Sequence, residues 1–541
     1  MSKYCIPPKL PARMKRTLSE QTTFGGFVGH PGATGDKLRF MQNLSSTAYP
    51  ALSVREGRVR KTSLFEGVDA VQGILYHDSL FVACGGKVYR LYDNGAMVTV
   101  ASTDDTLKQM VVFNHWLYIF PDKLMVDLTS NRCYFMDQSI SLTGGVSWSG
   151  STLTSSNVNF EDKGFLAGDG VTLTVYTALS GMSDTERFTV SKVSGYSLTL
   201  DRVPRTSGLS YQIKRTVPEL DGVCVAHNRL WGFYEQQIYA SAEGSGTNWY
   251  LTQDDKYMTG ETTDAFPVLL KNSSSGNFTA CIPWQDYVIF FKKDRICKIL
   301  GSGSEGYFVN ELQAPGVMLA TCQSLCNLEG RLYYASSHGV YAYDGAYPQR
   351  VDTPQDMSLS RVAGGSDGRV YYLSCKDKDG KYQLYTYDPA CQAWYVEDDL
   401  RVNFMTRKNN AVCMLTDTGE VIENHGEWGR DTYVEGKTET SVALQASAEF
   451  CDEVCCLQDG IRLHKLYVSC KSEADSTLTV SVAYDGDGEY KKIATLEGAH
   501  DGWVEIPVPP VRCRYYRLRL DMVGPWRIYA IHREYERGSQ G

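Results

Sequence analysis

VCVAHNRLWGFYEQQIYASAEG, residues 223–244, places an apolar strand, a short polar turn and a second apolar strand rich in aromatic residues one after another. Apolar strands that are rich in aromatic and β-branched residues, joined by a short polar turn, are typical of a β-hairpin. This stretch therefore predicts an antiparallel hairpin. The same pattern recurs on both sides of it.

Including this stretch, the hairpin pattern occurs seven times, at residues 71–95, 110–128, 223–244, 280–302, 324–345, 361–389 and 402–424. The equivalent positions are Leu80, Leu117, Leu230, Val288, Leu332, Val370 and Val412, and their spacings are 37, 113, 58, 44, 38 and 42 residues. Four of these spacings lie near the length of a four-stranded propeller blade, roughly 40 to 50 residues. The repeat predicts an all-β chain folded as a β-propeller of about seven blades.

The long spacing of 113 residues requires an insertion, and residues 141–216 supply it. Within them GDGVTLTVYTAL, DTERFTVSKVSGYSLTLD and SYQIKRTV alternate apolar and polar residues with period two. We expect an inserted small β-domain at 141–216, with the propeller divided into a first part at 61–140 and a second part at 217–430.

The two ends of the chain differ from the repeats. Residues 441–541 contain long alternating strands separated by Gly, Asp and Pro turns, which predicts a C-terminal β-sandwich. Residues 1–60 carry prolines at 7, 8, 11, 31 and 50 and show no sustained periodicity. They predict an extended N-terminal arm that lies along sheet edges, completes a blade or reaches a neighbouring subunit.

Composition narrows the function classes. The chain has 35 Tyr and 49 Gly, residues that strands and tight turns select, and its net charge is −9. An acidic chain without a basic run disfavours proteins that grip DNA or an anionic membrane. No signal peptide or membrane-spanning apolar stretch is present in the sequence, so we expect a soluble protein made in the cytoplasm, and cysteines that are reduced small hydrophobes.

Fragments of catalytic motifs occur without their structural context. Gly364, Ser366 and Gly368 spell the nucleophile-elbow pattern, but a strand-like RVYYLSC follows where a helix is required. The Cys451, Cys455 and Cys456 cluster has no spacing typical of a zinc pair. We therefore predict that the chain is not an enzyme and has no metal and no cofactor.

Several longer segments resemble a known group of proteins. They are RFMQNLSSTAYPALSVREGR (39–58), RTVPELDGVCVAHNRLWGFYEQQIYASAEGSGTNWY (215–250), GNFTACIPWQDYVIFFKKDRICKILG (276–301) and VPPVRCRYYRLRLDMVGPWRIYAIHREYERGS (508–539). The chain resembles virion β-propeller proteins of tailed bacteriophages, the group of tail hub, tail nozzle and DNA stabilization proteins, especially versions carried in prophages of Firmicutes.

The resemblance implies a structural component of the virion tail or neck, assembled in the host bacterial cytoplasm. It implies a homohexamer ring below the portal and adaptor proteins, next to other tail proteins, with genomic DNA passing along the axis without specific binding and no membrane partner. Within the resembling segments, Trp231 is expected to pack between blades and Arg229 to hold a neighbouring carbonyl or carboxylate. Asn248 and Trp249 suit a loop anchor, and Tyr49 and Pro50 suit an arm that docks an aromatic ring into a neighbour.

Two other functions remain open from the residues. The first is a phage host-recognition or carbohydrate-binding tail protein, in which Trp503, Trp526 or Tyr529 of the C-terminal β-sandwich stacks on sugar. Aromatic residues in a sandwich more often belong to the core, which weighs against this alternative. The second is a propeller glycosidase, for which no pair of carboxylates can be assigned from the sequence.

Overall fold

The computed structural model describes residues 16–30, 35–62, 64–65, 70–176, 183–249, 266–268, 275–302, 306–355, 357–454, 460–486 and 488–538. Almost all regular structure in these residues is strand. Their helical elements are two short 3-10 segments, Ser46–Ala48 and Leu319–Ser324. The prediction of an all-β chain is confirmed.

Seven sheets, antiparallel except for one strand pair in the last of them, follow one another along the central part of the chain, and we number them from sheet 1 to sheet 7 in chain order. Sheets 1 and 2 are formed by Val71–His77, Ser79–Cys84, Lys87–Leu91 and Met97–Ser102, and by Gln109–Phe113, Trp116–Phe120, Leu124–Asp127 and Cys133–Phe135. Sheets 3 and 4 are formed by Gly222–Ala226, Arg229–Tyr234, Gln237–Ala240 and Phe266–Val268, and by Ala280–Trp284, Tyr287–Phe291, Arg295–Ser302 and Gly306–Gln313. Sheets 5 and 6 are formed by Cys326–Leu328, Arg331–Ser336, Gly339–Tyr343 and Gln349–Val351, and by Ser358–Ser366, Tyr371–Lys376, Tyr382–Asp388 and Ala393–Val396.

Sheet 7 combines strands from distant parts of the sequence. Its strands, in spatial order, are Val402–Lys408, Ala411–Thr416, Val421–Glu423, Val59–Lys61, Arg430–Glu435 and Thr438–Ala443. Val59–Lys61 pairs antiparallel with Val421–Glu423 and parallel with Arg430–Glu435. A strand from the N-terminal part of the chain therefore occupies the fourth position of the last sheet.

Each sheet packs its apolar side chains against the next one. Each interface between neighbouring sheets has a shared core, and one residue from each sheet represents it here. From the interface of sheets 1 and 2 to that of sheets 6 and 7, these pairs are Phe81 and Leu117, Phe120 and Leu230, Trp231 and Phe290, Phe291 and Tyr334, Tyr333 and Tyr371, and Tyr372 and Met414. Sheet 7 packs back on sheet 1 through a core that contains Leu415 and Val82. The circle of sheets thus closes by side-chain packing, which gives a propeller-like arrangement.

The repeat positions identified in the sequence occupy equivalent places in these sheets. Leu80, Leu117, Leu230, Val288, Leu332 and Val412 lie near the start of the second strand of their sheets, and Val370 immediately precedes one. All are buried. The sequence repeat therefore marks one apolar position that each sheet contributes to the packing with its neighbours.

An inserted sheet follows sheet 2. Its strands are Gln138–Thr143, Val146–Ser149, Thr152–Ser155, Gly170–Tyr176, Ser183–Ser194, Ser197–Leu200 and Ser210–Arg215. It has a core of its own, around Leu153, Phe160 and Phe188. We call these residues, 138–215, the inserted unit.

The remaining strands form two sheets that share one core, and we call them the terminal unit. The first sheet contains Arg16–Gln21, Leu44–Ser45, Leu52–Val54, Gly460–Ser472, Asp501–Pro507, Arg512–Cys513 and Trp526–Gly538. The second contains Leu38–Gln42, Gln445–Phe450, Glu453–Val454, Thr477–Tyr484, Lys491–Glu497 and Tyr515–Val523. Segments from residues 16–54 therefore pair with strands of residues 445–538, which are distant in sequence.

The thirteen cysteines in the part of the chain that the structure describes are free thiols. Burial raises the pKa of the Cys84 thiol to about 11 and that of Cys413 to about 12, with the Glu423 carboxylate adding to the shift at Cys413. In the same part of the chain, no helix has the length and apolar character needed to cross a bilayer.

Candidate functional site

A buried network of charges joins the N-terminal segment to sheets 6 and 7. We call it the first junction, and it consists of Arg55, Arg58, Glu397, Asp398 and Asp431. Both guanidinium groups are almost completely buried. Arg55 donates to the two carboxylate oxygens of Asp431 at 2.8 and 3.0 Å, and Arg58 donates to Asp398 at 2.6 Å and to Glu397. The backbone amide of Arg58 also donates to Asp431, at 2.9 Å.

The electrostatics of the first junction favour the charged states of Arg58, Asp398 and Asp431. Burial alone raises the pKa of the Asp398 and Asp431 carboxyls, but the nearby Arg55 and Arg58 outweigh it and hold both pKa values below their ordinary value. The pKa of Arg58 is raised, because Asp398, Glu397 and Asp431 outweigh its burial. Breaking this network would leave a buried charge without its partner, which costs free energy. The network therefore holds the N-terminal segment firmly against sheets 6 and 7.

A second junction holds the inserted unit against the ring of sheets, and it consists of Asp169, Arg215 and Thr247. The Asp169 and Arg215 side chains are fully buried and form an ion pair. Arg215 also donates to the carbonyl oxygens of Met136 and Gly164, each at 2.7 Å. Thr247, which follows the third strand of sheet 3, donates its hydroxyl to the other oxygen of Asp169. All polar groups of Asp169 are thereby used within the protein.

The two loop anchors expected from the sequence, Asn248 and Trp249, lie at this second junction. Both are buried. The Arg187 guanidinium of the inserted unit donates to the Asn248 side-chain oxygen at 3.3 Å and to the Trp249 carbonyl. The Trp249 indole donates to the Gly246 carbonyl at 2.9 Å, and its ring packs in the core between sheets 2 and 3. These residues connect the inserted unit to the circle of sheets.

Arg229 and Trp231 lie together on the second strand of sheet 3, and both are buried. Arg229 donates to the Ser241 carbonyl at 2.7 Å. Trp231 donates its indole N–H to the Ala226 carbonyl at 3.1 Å, and its ring contacts Tyr307 edge-on at 5.1 Å between centroids. Trp231 therefore packs between sheets 3 and 4, and Arg229 holds a neighbouring carbonyl.

Tyr49 and Pro50 lie apart from the other candidate residues. They follow the 3-10 segment Ser46–Ala48, and both are exposed. The Pro50 carbonyl accepts a hydrogen bond from the Phe24 amide at 3.1 Å. Within this chain, 42% of the Tyr49 surface remains accessible. Its ring is available for contact with another molecule.

The junction charges were not identified from the sequence. Arg55 and Arg58 stand in the motif REGR, where charged residues ordinarily indicate solvent exposure. Their partners lie more than 300 residues away, with a separation of 376 between Arg55 and Asp431. The only local signal is a pair of arginines close to a strand with apolar neighbours on both sides.

The motif fragments have structural roles. Ser366 is buried at the end of the first strand of sheet 6, where its hydroxyl donates to the Val370 carbonyl at 2.8 Å and accepts from the Gly368 amide at 2.9 Å. It closes a hairpin turn. Cys455 and Cys456 lie outside the described residues. Among the residues the structure describes, no group of three His, Cys, Asp or Glu side chains is arranged to hold a metal ion.

The aromatic residues considered for sugar stacking separate into core and surface. Trp526 is fully buried in the terminal unit, so the hypothesis that it contacts sugar is wrong. Trp503 and Tyr529 have 56% and 40% of their surface exposed. The side chain of Trp503 lies on the outer face of the first sheet of the terminal unit.

Charge on the first strands of the seven sheets is sparse and positive. The first strands of most consecutive sheets lie beside one another, and the first strand of sheet 7 lies against the first strand of sheet 1. Their only Lys, Arg, Asp or Glu residues are Arg361, Arg407 and Lys408. The acidic residues of the chain therefore lie on other elements.

Comparison with known proteins gives structural likeness alone. No family model matches the chain, and no curated protein matches it. Puromycin hydrolase aligns over 71% of this chain and 59% of its own, at 10% identity and a TM-score of 0.33. Hsv2 of Kluyveromyces lactis aligns over 61% of this chain and 97% of its own, at 8% identity and a TM-score of 0.26. Exo-β-1,3-galactanase of Phanerochaete chrysosporium aligns over 58% and 95%, at 10% identity and a TM-score of 0.22.

These comparisons correct one prediction. The expectation that the chain is not an enzyme is contradicted: the solved structures that align with it include a galactanase and puromycin hydrolase. An all-β, propeller-like arrangement of this kind does not exclude catalysis. The resemblance to tailed-phage proteins stays a prediction.

Proposed function

We propose that this chain is a structural component of a bacteriophage tail or neck, a hub- or nozzle-like ring below the portal and adaptor that forms part of the DNA exit channel. In this proposal sheets 1 to 7 are the blades of a seven-bladed propeller. The inserted unit is a small β-domain, and the terminal unit is a β-sandwich completed by N-terminal strands.

The observation that carries the proposal is the position of the resembling segments. Segment 39–58 contributes Arg55 and Arg58 to the first junction, and segment 215–250 contributes Arg215 and Thr247 to the second. The segments that resemble virion proteins therefore supply the buried cations that fasten the outer units to the ring of sheets. A body assembled in this way is suited to a mechanical role, because its parts are held by charges that are costly to separate.

The acidic net charge of the chain suits a duct for DNA on the axis of the assembled ring. The first strands of the sheets carry only positive charges, at Arg361, Arg407 and Lys408. The net charge of the chain is −9, so acidic side chains predominate elsewhere. Basic groups bind phosphates, whereas acidic groups repel them and let DNA slide past. We therefore place the DNA on the axis of the ring of copies, in a channel lined by acidic surfaces.

Ring formation requires two different surfaces that meet when copies join head to tail. The inserted unit and the terminal unit are attached to the circle of sheets through separate junctions, so they provide such surfaces. Tyr49, exposed at a turn between strands of the terminal unit, suits an anchor that enters the neighbouring copy.

The proposal is tested by the assembly state of the purified full chain. Negative-stain images and mass photometry should show annular oligomers of about six copies. Tyr49→Ala should shift these oligomers toward monomers without a change in thermal unfolding. Tyr234→Ala is the matched control, since Tyr234 lies in sheet 3, outside both units, and 40% of its surface is accessible. A wild-type chain that stays monomeric up to about 50 µM would overturn the proposal.

A second measurement addresses the virion. Antibodies against the chain should label the tail or neck of induced phage particles, at the end of the head where DNA leaves. Under the same proposal the purified ring should not retain duplex DNA at about 150 mM salt. Absence of the chain from purified particles would contradict the assignment to the virion.

A further inference from the structure

The outer face of the first sheet of the terminal unit carries an exposed aromatic group with polar neighbours. Trp503 pairs with Ser469 of the adjacent strand, and Ser469 pairs with Ala530 of the strand beyond. The Trp503 ring nevertheless contacts His532, with 4.5 Å between ring centroids. Neighbouring strands are about 4.8 Å apart, so the indole must extend across the middle strand to reach His532.

The small residues below the indole explain this orientation. Ser469 and Ala530 present little bulk on the outer face, which leaves space for a large ring to lie over them. His532 then supports one side of the indole. With 56% of the residue accessible, Trp503 leaves a broad part of its aromatic surface in contact with water.

Polar side chains continue the same face. Glu505 stands two residues after Trp503 on its strand and pairs with Tyr467 of the next strand. Glu505 forms an ion pair with Lys465 at 2.6 Å. The Tyr467 hydroxyl donates to Glu534 at 3.4 Å. The surroundings of the indole therefore contain hydrogen-bond donors and acceptors on side chains that the sheet holds in register.

Two carboxylates on this face form ion pairs. Glu505 is paired with Lys465, and Glu534 is paired with Arg16 at 2.8 Å. Pairing reduces the field of these two carboxylates around the indole. An exposed aromatic ring beside hydrogen-bonding groups suits a neutral ligand with an apolar side and many hydroxyl groups.

We propose that Trp503, with His532, Tyr467 and the Glu505–Lys465 pair, forms a binding site for a neutral saccharide. The C–H face of a sugar ring stacks on the indole, and its hydroxyls exchange hydrogen bonds with the neighbouring polar groups. A second protein is a poorer occupant, because protein interfaces bury about 800 Å² on each side around several apolar anchors. Here one exposed indole, supported by His532, lies beside polar and ion-paired side chains.

The test uses the full chain and a defined set of neutral oligosaccharides: chitohexaose, maltohexaose, cellohexaose and a rhamnose oligomer. Saturation-transfer NMR should detect binding of at least one of them, with transfer to the sugar C–H protons. For that sugar, Trp503→Ala should weaken binding about tenfold or more, whereas Trp503→Phe should retain part of it. Tyr196→Ala, a change of an exposed aromatic in the inserted unit, should leave binding unchanged.

Two results would overturn the saccharide site: no binding of any of the four sugars at about 10 mM, or unchanged binding in Trp503→Ala. Assembly of the same samples is measured in parallel by mass photometry. Trp503→Ala should assemble as the wild type does, so that failure of sugar binding and failure of ring formation are recorded separately.

Discussion

The guanidinium of Arg55 and the carboxylate of Asp431 face each other in a bidentate pair, with N···O distances of 2.8 and 3.0 Å and both side chains almost fully buried. The pair links a segment near the N-terminus to a strand 376 residues later. A bidentate geometry fixes orientation as well as distance. It sets the position at which Val59–Lys61 enters sheet 7, only a few residues further along the chain.

Loss of Arg58 should disrupt the first junction and destabilise the protein. Arg58→Met leaves Glu397 and Asp398 buried without a main partner, and we expect a loss of about 3–5 kcal/mol in the free energy of unfolding. Chemical denaturation measures it. Arg401→Met is the matched control, because the Arg401–Asp417 pair is 36% and 33% exposed and should contribute roughly 0–1 kcal/mol. Equal losses in the two variants would contradict the role assigned to burial.

Acid should weaken the same junction. Asp398 and Asp431 have pKa values below their ordinary value of 3.8, so they stabilise the folded state above that pH. Their contribution should decline as the pH falls from 3.8 through the lowered pKa values, where the native carboxylates become protonated.

The measurement is the urea midpoint as a function of pH. Asp431→Asn should be less stable than the wild type at pH 7, and the difference should shrink toward pH of about 2.5. The control is Asp379→Asn, at an exposed hairpin turn, which should follow the wild-type curve. A constant difference between Asp431→Asn and the wild type over this range would refute the assignment.

Replacement by alanine should have a large effect on stability at one tryptophan and a small effect at another. Trp231→Ala removes a fully buried ring between sheets 3 and 4, and we expect a loss of about 3–5 kcal/mol from the cavity it leaves. Trp503→Ala removes an exposed ring and should change the free energy of unfolding by no more than about 0.5 kcal/mol. Thermal and chemical unfolding of both variants check this, and a large loss in Trp503→Ala would place its ring in a core instead.

A methyl group at Gly57 should displace the strand that follows it. An added Cβ would lie 1.5 Å from the Arg430 carbonyl oxygen, a distance that backbone cannot tolerate. Gly57→Ala should therefore cost about 3 kcal/mol or more and raise amide exchange in Val59–Lys61. Gly35→Ala is the comparison, because a Cβ added there meets no atom within 4 Å. Its φ of +83° is unfavourable for alanine, so we expect a loss of about 1–2 kcal/mol in the free energy of unfolding. Normal exchange in Gly57→Ala would show that the strand does not depend on this contact.

The alternation of apolar and polar residues along single strands was enough to predict the all-β class of the fold and its recurring hairpins. Leu230 and Val412 could be recognised as equivalent because apolar and aromatic residues recur at one place in every hairpin, and both are buried near the start of a second strand. This information is local, since the two faces of a strand differ at every second residue. The resembling segments likewise contained Trp231, Trp249 and Arg215, although not Asp169, the buried carboxylate that pairs with Arg215.

Only the tertiary structure decided which strands meet and which faces are covered. The pairing of Val59–Lys61 with Val421–Glu423 and the contact of Arg55 with Asp431 join residues hundreds of positions apart, and no local pattern encodes such a partner. Trp503 and Trp526 have similar strand contexts, yet one is exposed and the other is core. Period two separates a strand into two faces, but burial of either face depends on what packs against it, which is a property of the assembled fold.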